Sequence, residues 1–438
     1  MFINKLGLKN FKCFKEVEVD FSKITLLTGE NSSGKSSLIY GLLAPFQSED
    51  FPLYLFPNGK YVNMGDFEEI SFKNLKNNKI GINININIME NFPFNLDTTW
   101  ILDPTNKLPK LYQLKAKFFV YLSTLKMLDP NFNLPTDDGD YSNLDIKLND
   151  DYSSNNYQCS LFYENKENIN SFKDKEIDVF SLLSSEKYKD NEESISHILL
   201  KDYITLCIGI INQRRMRLNL LGSYRLYPER TYYQKTKSSN RVLPSGDGFI
   251  DQILEWQEKG NKQFDDLITI LKDLKLLYDI KPHKIGGGRF DFRVKVKKSS
   301  NWASLADVGF GVSQLLPIIV ADLQLDDNST LIMAQPETHL HPSIQAELGT
   351  YLVKQINQLE KQYIIETHSE YLINRLRLSI VKGEIEPEDV AVYYFENTAK
   401  EGSIAHRIEF TKQGQILNAP QGFFDTYMMD TMNIALNA

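Results

Sequence analysis

The sequence predicts a mixed α/β fold in which a unit begun at the N-terminus is finished by strands from the far end of the chain. Three observations carry this expectation. Residues 23–43 read as a short apolar strand, a glycine-bounded loop and a helix. Residues 80–89 (IGINININIM) alternate apolar and polar residues almost without exception, the period of a strand with one buried face. From Arg289 onward strands and helices alternate, the order of a parallel sheet covered by helices.

Composition bounds the answer. With 438 residues, 42% of them hydrophobic and 24% charged, the chain is long enough for two domains or for one with a large insertion. Its net charge of −8 argues against coating nucleic acid through overall charge and leaves room for a local basic patch. Cys13, Cys159 and Cys207 have no paired spacing, so neither a disulfide framework nor a zinc site is expected, and a reducing cytoplasm is. The first residues hold no apolar run of signal-peptide length, and no run approaches the ~20 residues of a membrane helix. No membrane partner is expected.

Taken in order, residues 2–8 and 16–21 are expected strands, 23–28 the apolar strand before the loop, and 36–43 the helix after it. The strand at 80–89 is expected to pair with strands at 116–123 and 158–163 in an antiparallel sheet. Residues 129–195, rich in Asp, Asn, Ser and Lys, read as a loop-rich insertion with one or two short strands. Residues 194–221 and 248–276 read as helices, with apolar residues at three- and four-residue steps such as Ile250, Ile253, Leu254 and Trp256. Neither is regular enough for an extended coiled coil. Then follow a strand with Phe290, Phe292, Val294 and Val296, a glycine-led helix at 309–320, a strand at 330–333, a helix from Pro342, a strand at 362–366 and a last strand at 389–395. The strands near 330 and 362 are expected to complete the sheet begun at 23–28.

The loop carries chemistry. Gly29-Glu30-Asn31-Ser32-Ser33-Gly34-Lys35-Ser36 fits G-x-x-x-x-G-K-[ST], a P-loop between strand and helix, and Ser37 follows it. Glycines let the backbone turn its N–H groups around phosphate oxygens. Lys35 is expected on the β- and γ-phosphates of ATP, Ser36 on Mg²⁺, and the helix start turns its positive end toward the anion.

Farther along, Leu331-Ile-Met-Ala334-Gln335-Pro-Glu337-Thr-His339-Leu-His341-Pro342 follows an apolar run. This segment resembles the strand-end motif of ABC-type ATPases of the SMC/RecF/OLD kind. The resemblance implies that Ala334 stands where an acid would hold the Mg²⁺ shell, and that Gln335 stands where many relatives place the water-activating glutamate. His339 and His341 would otherwise read as a metal pair; the resemblance assigns them to the motif. Ile364-Ile-Glu366-Thr367-His368-Ser369 resembles the switch segment, with His368 on the γ-phosphate. Asp307-Val-Gly309-Phe-Gly311-Val-Ser313-Gln314 resembles, loosely, the signature segment that caps the nucleotide of a second subunit, which implicates Gly309, Gly311 and Ser313. Asn10-Phe11-Lys12-Cys13-Phe14 is similar to the family's N-terminal strand turn, and Lys12 is counted with the nucleotide-binding residues. Segments at 58–67, 221–230 and 421–425 are similar to one prokaryotic branch of AAA-family ATPases associated with phage defence, Septu-like ATPase subunits among them.

The resemblance implies a split ABC-type P-loop nucleotide domain: residues 1–79 as its N-terminal half, 80–288 as an inserted antiparallel-sheet and helical region, and 289–438 as the C-terminal half with a family-specific tail. It implies a homodimer or higher oligomer that sandwiches ATP, and an ATPase acting as a nucleotide-gated sensor or scaffold of an antiviral system, controlling a neighbour-encoded effector such as a nuclease. A RecF-like ATPase acting on DNA is the alternative. Residues 396–438 are too few for the carboxylate-rich domain of an OLD-type nuclease. An alanine at 334 cannot hold a metal-bound water, so hydrolysis is expected to be weak or absent. Glu337 and Glu366 are carboxylates that could assist, though a structural role is the more frequent one. Arg214, Arg215 and Arg217, and Arg289, Arg293, Lys295, Lys297 and Lys298, form basic stretches that fit either a solvated face or a nucleic-acid or protein surface.

Overall fold

The computed structural model describes residues 2–87, 93–120, 140–148, 156–164, 169–173, 177–178, 195–233, 241–420 and 423. The chain divides into two compact units. One comprises Met1–Asp20, Ser37–Met216 and Thr398–Ile404; the other comprises Phe21–Ser36, Arg217–Asn397 and Ala405–Ala438.

The first unit is built on an antiparallel meander. Strand Ile80–Asn87 lies between Ile3–Phe11 and Pro93–Leu102, and the order continues through Pro109–Val120, Asp140–Leu148 and Asn156–Glu164. Ile80, Ile82, Ile84 and Ile86 are all buried while the residues between them are not, as the alternation at 80–89 requires. The direct pairing expected between 80–89 and the strands at 116–123 and 158–163 does not occur: those strands share the sheet but sit two and four places away. The register of a meander follows sequence order, so each strand takes its chain neighbours first. The insertion at 129–195 holds more strand than expected. Asp140–Leu148, Asn156–Glu164, Ile169–Lys173 and Ile177–Asp178 all pair, with Leu144, Ile146 and Leu148 buried on one face; the rest of that stretch lies outside the described residues.

The second unit is a five-stranded parallel sheet in the order Val390–Thr398, Ile24–Gly29, Gln362–Glu366, Thr330–Ala334, Leu218–Leu221. The strands expected near 330 and 362 do complete the sheet of the P-loop strand. Each is a continuous buried run, as parallel strands covered on both faces must be. Leu218–Leu221 was expected to end a helix. The helix instead stops at Met216, and these four buried residues pair in parallel with 330–333. A short apolar run reads alike in a buried helix and a buried strand, and here the open sheet edge decides.

Two more expectations change. The helix expected over 248–276 is two helices, Phe249–Lys259 and Lys262–Asp273, parted where Gly260 takes φ 65°. Strand Arg289–Lys295 belongs to a separate antiparallel sheet with Tyr232–Tyr233, Asp279–Gly286 and Ala303–Ser304. Its alternating pattern is that of a strand with one wet face, which a doubly covered parallel sheet does not offer. After Val390–Thr398 the chain adds Gly402–Phe410 and Ile416–Leu417, so the strand expected at 389–395 is not the last.

Helix Phe310–Leu323 is buried from Val312 to Asp322 on every side, so even its Gln314 and Asp322 lie inside. Helix Pro342–Leu359 opens with Pro342 in its first turn behind a His341 cap, and Glu370–Val381 opens behind a Ser369 cap.

Candidate functional site

Parallel pairing sets the site. Register places Glu366 opposite both Leu27 and Ala334, so two strands end level with Leu27, two residues before the P-loop strand itself ends at Gly29. The C-terminal edge of such a sheet is where α/β folds bind ligands. Backbone bonds lock this edge: Gln335 N–H donates to Glu366 O at 2.7 Å and Thr367 N–H to Leu27 O at 2.9 Å.

The loop Gly29–Lys35 needs unusual torsions. Gly29 has φ 128°, Ser32 61° and Gly34 104°. A Cβ on Gly29 would stand 2.2 Å from Phe395 O, so only glycine fits against that strand. Glu30 and Asn31 are exposed on the loop, and Ser33 is buried with its hydroxyl donating to Glu30 O at 2.7 Å. The Lys35 ammonium donates to Glu30 O at 2.5 Å and Gly29 O at 3.1 Å. Burial lowers its pKa, against the pull of Glu366 and Glu30. The Ser36 hydroxyl donates to Glu366 Oε2 at 2.8 Å. Helix Lys35–Gln47 begins here, and its first-turn N–H groups have no acceptor within the helix. Torsions, orphan donors, an ammonium and a hydroxyl beside a carboxylate together fit a magnesium-bound polyphosphate.

Ala334 and Gln335 end their strand in a turn where Gln335 takes φ 48°. The turn is held from below by Arg225, which donates to Ala334 O at 3.2 Å, Gln335 O at 3.0 Å, Gly222 O at 2.8 Å and Gln314 Oε1 at 3.3 Å. Arg225 is only 2% exposed, and burial brings its pKa down to about 10 despite the charge of Glu337. Sequence reasoning saw the segment at 221–230 but gave this arginine no role. The available signal was an arginine set between Tyr224 and Leu226, three residues after Gly222.

Glu337 accepts the His368 N–H at Oε1, 2.7 Å away, while its Oε2 is buried with no hydrogen-bond partner. Burial raises its pKa, and the His368 N–H and Arg225 oppose the rise. The His368 ring remains solvent-accessible; partial burial and then the Lys35 charge lower its pKa. The two remaining motif histidines have other work. His341 Nδ1 accepts from Ser343 N–H as a helix cap, and the His339 ring meets Phe310 edge-on at 4.9 Å. Among the described residues no group of three or more His, Cys, Asp or Glu could hold a metal ion.

Gly309 is exposed with open space where a Cβ would stand, and Gly311 packs so closely that a Cβ would meet His339 O at 2.6 Å. Ser313 departs from its expected part. It is buried, and its hydroxyl donates to Phe310 O at 2.8 Å inside the helix, leaving none for a nucleotide. Lys12 belongs to the other compact unit, where its ammonium reaches Met64 O and Glu69 O at 3.4 Å each and burial lowers its pKa. Ser37 lies in the first turn of the helix and falls in that same unit. Of the tail motif at 421–425 only Phe423 is among the described residues; it is buried against Tyr394, with ring centroids 6.1 Å apart.

Residues 1–373 match the family model described as AAA ATPase domain, a span that takes in the P-loop, the 334–335 turn and His368. The chain belongs to the AAA ATPase domain family. By family, then, this AAA ATPase is an ATP-binding ATPase of α/β fold. Residues 385–434 match a second family, described as a protein of unknown function (DUF3696). No curated protein matches. Among solved structures, the AAA ATPase is similar to an SMC head domain from Thermotoga maritima at 12% identity and TM-score 0.37, covering 92% of this chain and 98% of that one. It is similar to an SMC head bound to the C-terminal winged-helix domain of ScpA at 12% identity and TM-score 0.40, covering 94% and 99%. A third is an SMC head with an extended coiled coil bound to the C-terminal domain of ScpA from Pyrococcus furiosus, at 11% identity, TM-score 0.38 and 99% of both chains. Likeness of this size carries no argument about function. No helix of the AAA ATPase, among its described residues, is long and apolar enough to cross a membrane.

Proposed function

We propose that this chain is a nucleotide-gated ATPase that works as the sensor or scaffold of an antiviral defence system, with ATP-Mg²⁺ as the gate and an associated effector, such as a nuclease, as the output. The observation that carries the nucleotide part is the convergence of Lys35, Ser36, Glu366 and the 334–335 turn at one edge of a parallel sheet. The defence part rests on the sequence resemblance at 58–67, 221–230 and 421–425.

In this reading the loop N–H groups of Gly29–Gly34 and the start of helix Lys35–Gln47 hold the phosphates, Lys35 neutralises them, and Ser36 ligates Mg²⁺. A bound Mg²⁺ would supply charge neutralisation at the β- and γ-phosphates. Gln335 orients the attacking water, and His368, neutral near pH 7, contacts the γ-phosphate. The exposed start of helix Phe310–Leu323 at Gly309 caps the nucleotide of a second copy, so that ATP joins two protomers in a two-fold arrangement. With Ala334 in place of an acid, hydrolysis is slow and the joined state long-lived.

The test is steady-state ATP hydrolysis by this chain beside Ala334→Glu and Lys35→Ala, with and without duplex DNA. The expected outcome is slow turnover by the chain, faster turnover by Ala334→Glu and none by Lys35→Ala, without DNA dependence. Strong DNA stimulation that fades steeply with salt would point instead to the RecF-like reading. Equal turnover by all three would sink the site assignment.

A further inference from the structure

We propose that Glu366 is a metal-side carboxylate of the nucleotide site, doing from the neighbouring strand what the acid missing at position 334 would do from its own. The inference rests on the P-loop reading above and adds a ligand to it. Parallel register makes Ala334 and Glu366 direct neighbours at the strand ends. In a parallel pair, residues in register project to the same face. A carboxylate at 366 therefore rises beside the position that offers only a methyl group. Its strand end is fixed on both sides, by Gln335 N–H on its carbonyl and by Thr367 N–H on Leu27 O.

The side chain is aimed at the loop. Glu366 Oε2 accepts from Ser36 Oγ at 2.8 Å, and the residue is 7% exposed. Two oxygens in adjacent positions of a Mg²⁺ octahedron, each bonded at about 2.0–2.1 Å, lie roughly 2.9 Å apart. The hydroxyl and carboxylate already hold that separation. Rotating the hydroxyl hydrogen away, with no proton transferred, turns the two oxygens into neighbouring ligands.

Burial argues the same way. A carboxylate taken this far from water needs a cation or several donors to offset its lost hydration. Among the described residues its one hydrogen-bond donor is the neutral Ser36 hydroxyl, and it forms no ion pair. Lys35, whose charge it does feel, directs its ammonium to the carbonyls of Gly29 and Glu30. Glu337, the other carboxylate near this edge, gives its Oε1 to the His368 N–H. A serine and one carboxylate are too few ligands to hold Mg²⁺ alone, so the metal should bind only together with the nucleotide's phosphate oxygens.

The experiment uses Mn²⁺, read directly by electron paramagnetic resonance, and a non-hydrolysable ATP analogue on the full chain. The parent should bind Mn²⁺ strongly only when the analogue is present. Glu366→Gln keeps the size and the Ser36 contact and loses the charge. It should bind the analogue in EDTA as the parent does, yet weaken Mn²⁺ on the order of tenfold or more. A thermal melt checks that it folds. Glu366→Asp, which draws the carboxylate back by one methylene, provides the same comparison if glutamine at this position does not. Unchanged Mn²⁺ affinity in either folded variant overturns the proposal while leaving the P-loop reading intact. A parent that fails to bind the analogue in EDTA, or a Lys35→Ala variant that binds it equally well, overturns the P-loop reading and this inference with it.

Discussion

At the scale of single residues, the site works through small charges brought close together. His368 stands beyond a strand end with its N–H on Glu337 and its ring open to solvent. Partial burial and the Lys35 ammonium both disfavour imidazolium, so the ring is neutral near pH 7 and keeps one donor and one acceptor nitrogen. An NMR titration should place its midpoint below the ordinary 6.5, and Lys35→Met should move it upward. A midpoint that ignores the lysine would separate the two residues. The sign of the linked stability follows: a histidine with a depressed folded pKa withdraws stability as pH falls from about 6.5 through that pKa, because the unfolded chain takes the proton first. Arg225 is a different kind of residue. Its guanidinium bonds two consecutive carbonyls, at 334 and 335, and Gln314 of the buried helix, so it ties the turn to the segment proposed to cap a second nucleotide. Neither the lysine–histidine coupling nor the arginine clamp can be read from spacing, since the partners are far apart in the chain.

At the scale of elements, the parallel sheet is joined to its covering helices by a buried polar cluster. Asp322, near the end of helix Phe310–Leu323, accepts from Lys361 Nζ at 3.2 Å and from the hydroxyls of Tyr363, at 3.0 Å, and Tyr351. Lys361 also donates to the Asp322 carbonyl at 2.7 Å. Burial and the nearby carboxylate push both tyrosine pKa values far up, so both remain donors. Lys361 is 2% exposed and Asp322 0%, which makes the pair strongly dependent on each other. Lys361→Met is expected to cost about 3–5 kcal/mol by leaving Asp322 charged and uncompensated. Tyr363→Phe should cost about 1 kcal/mol, since it removes one of several donors. Urea unfolding measures both, and a Lys361→Met loss no larger than that of Tyr363→Phe would show that the ion pair is not what holds these elements. The cluster fixes where strand Gln362–Glu366 starts, and hence the level at which Glu366 emerges beside Ser36.

At the scale of the whole molecule, the proposed sandwich makes nucleotide a ligand of the dimer. With ATP and Mg²⁺, light scattering should find about twice the 50.6 kDa of one chain, and without nucleotide one chain. Gly309→Asp is the sharpest probe. Gly309 has φ −54° and ψ 140°, ordinary for any residue, and nothing stands within 4 Å of where its Cβ would be. The variant should therefore fold normally, yet it would set a negative charge where the partner's phosphates are expected. Loss of the doubled mass with an unchanged melting temperature is the expected result. A Gly309→Asp protein that still doubles would exclude this helix end as the cap.

The sequence by itself determined the phosphate loop, its strand and helix, and the runs at 330–333 and 362–366, because torsional demands at Gly29 and Gly34 and the apolarity of doubly covered strands are local properties. His368 and the alanine at 334 were singled out by the family resemblance, as an expectation. What the sequence could not decide were choices settled by neighbours distant in the chain. Leu218–Leu221 became a strand because a sheet edge was open to it, and Arg289–Lys295 joined a separate antiparallel sheet. Ser313 turned its hydroxyl into its own helix because that helix is buried on every side. Above all, only the folded register of two strands set Glu366 beside Ala334 and over Ser36, 330 positions away in the sequence.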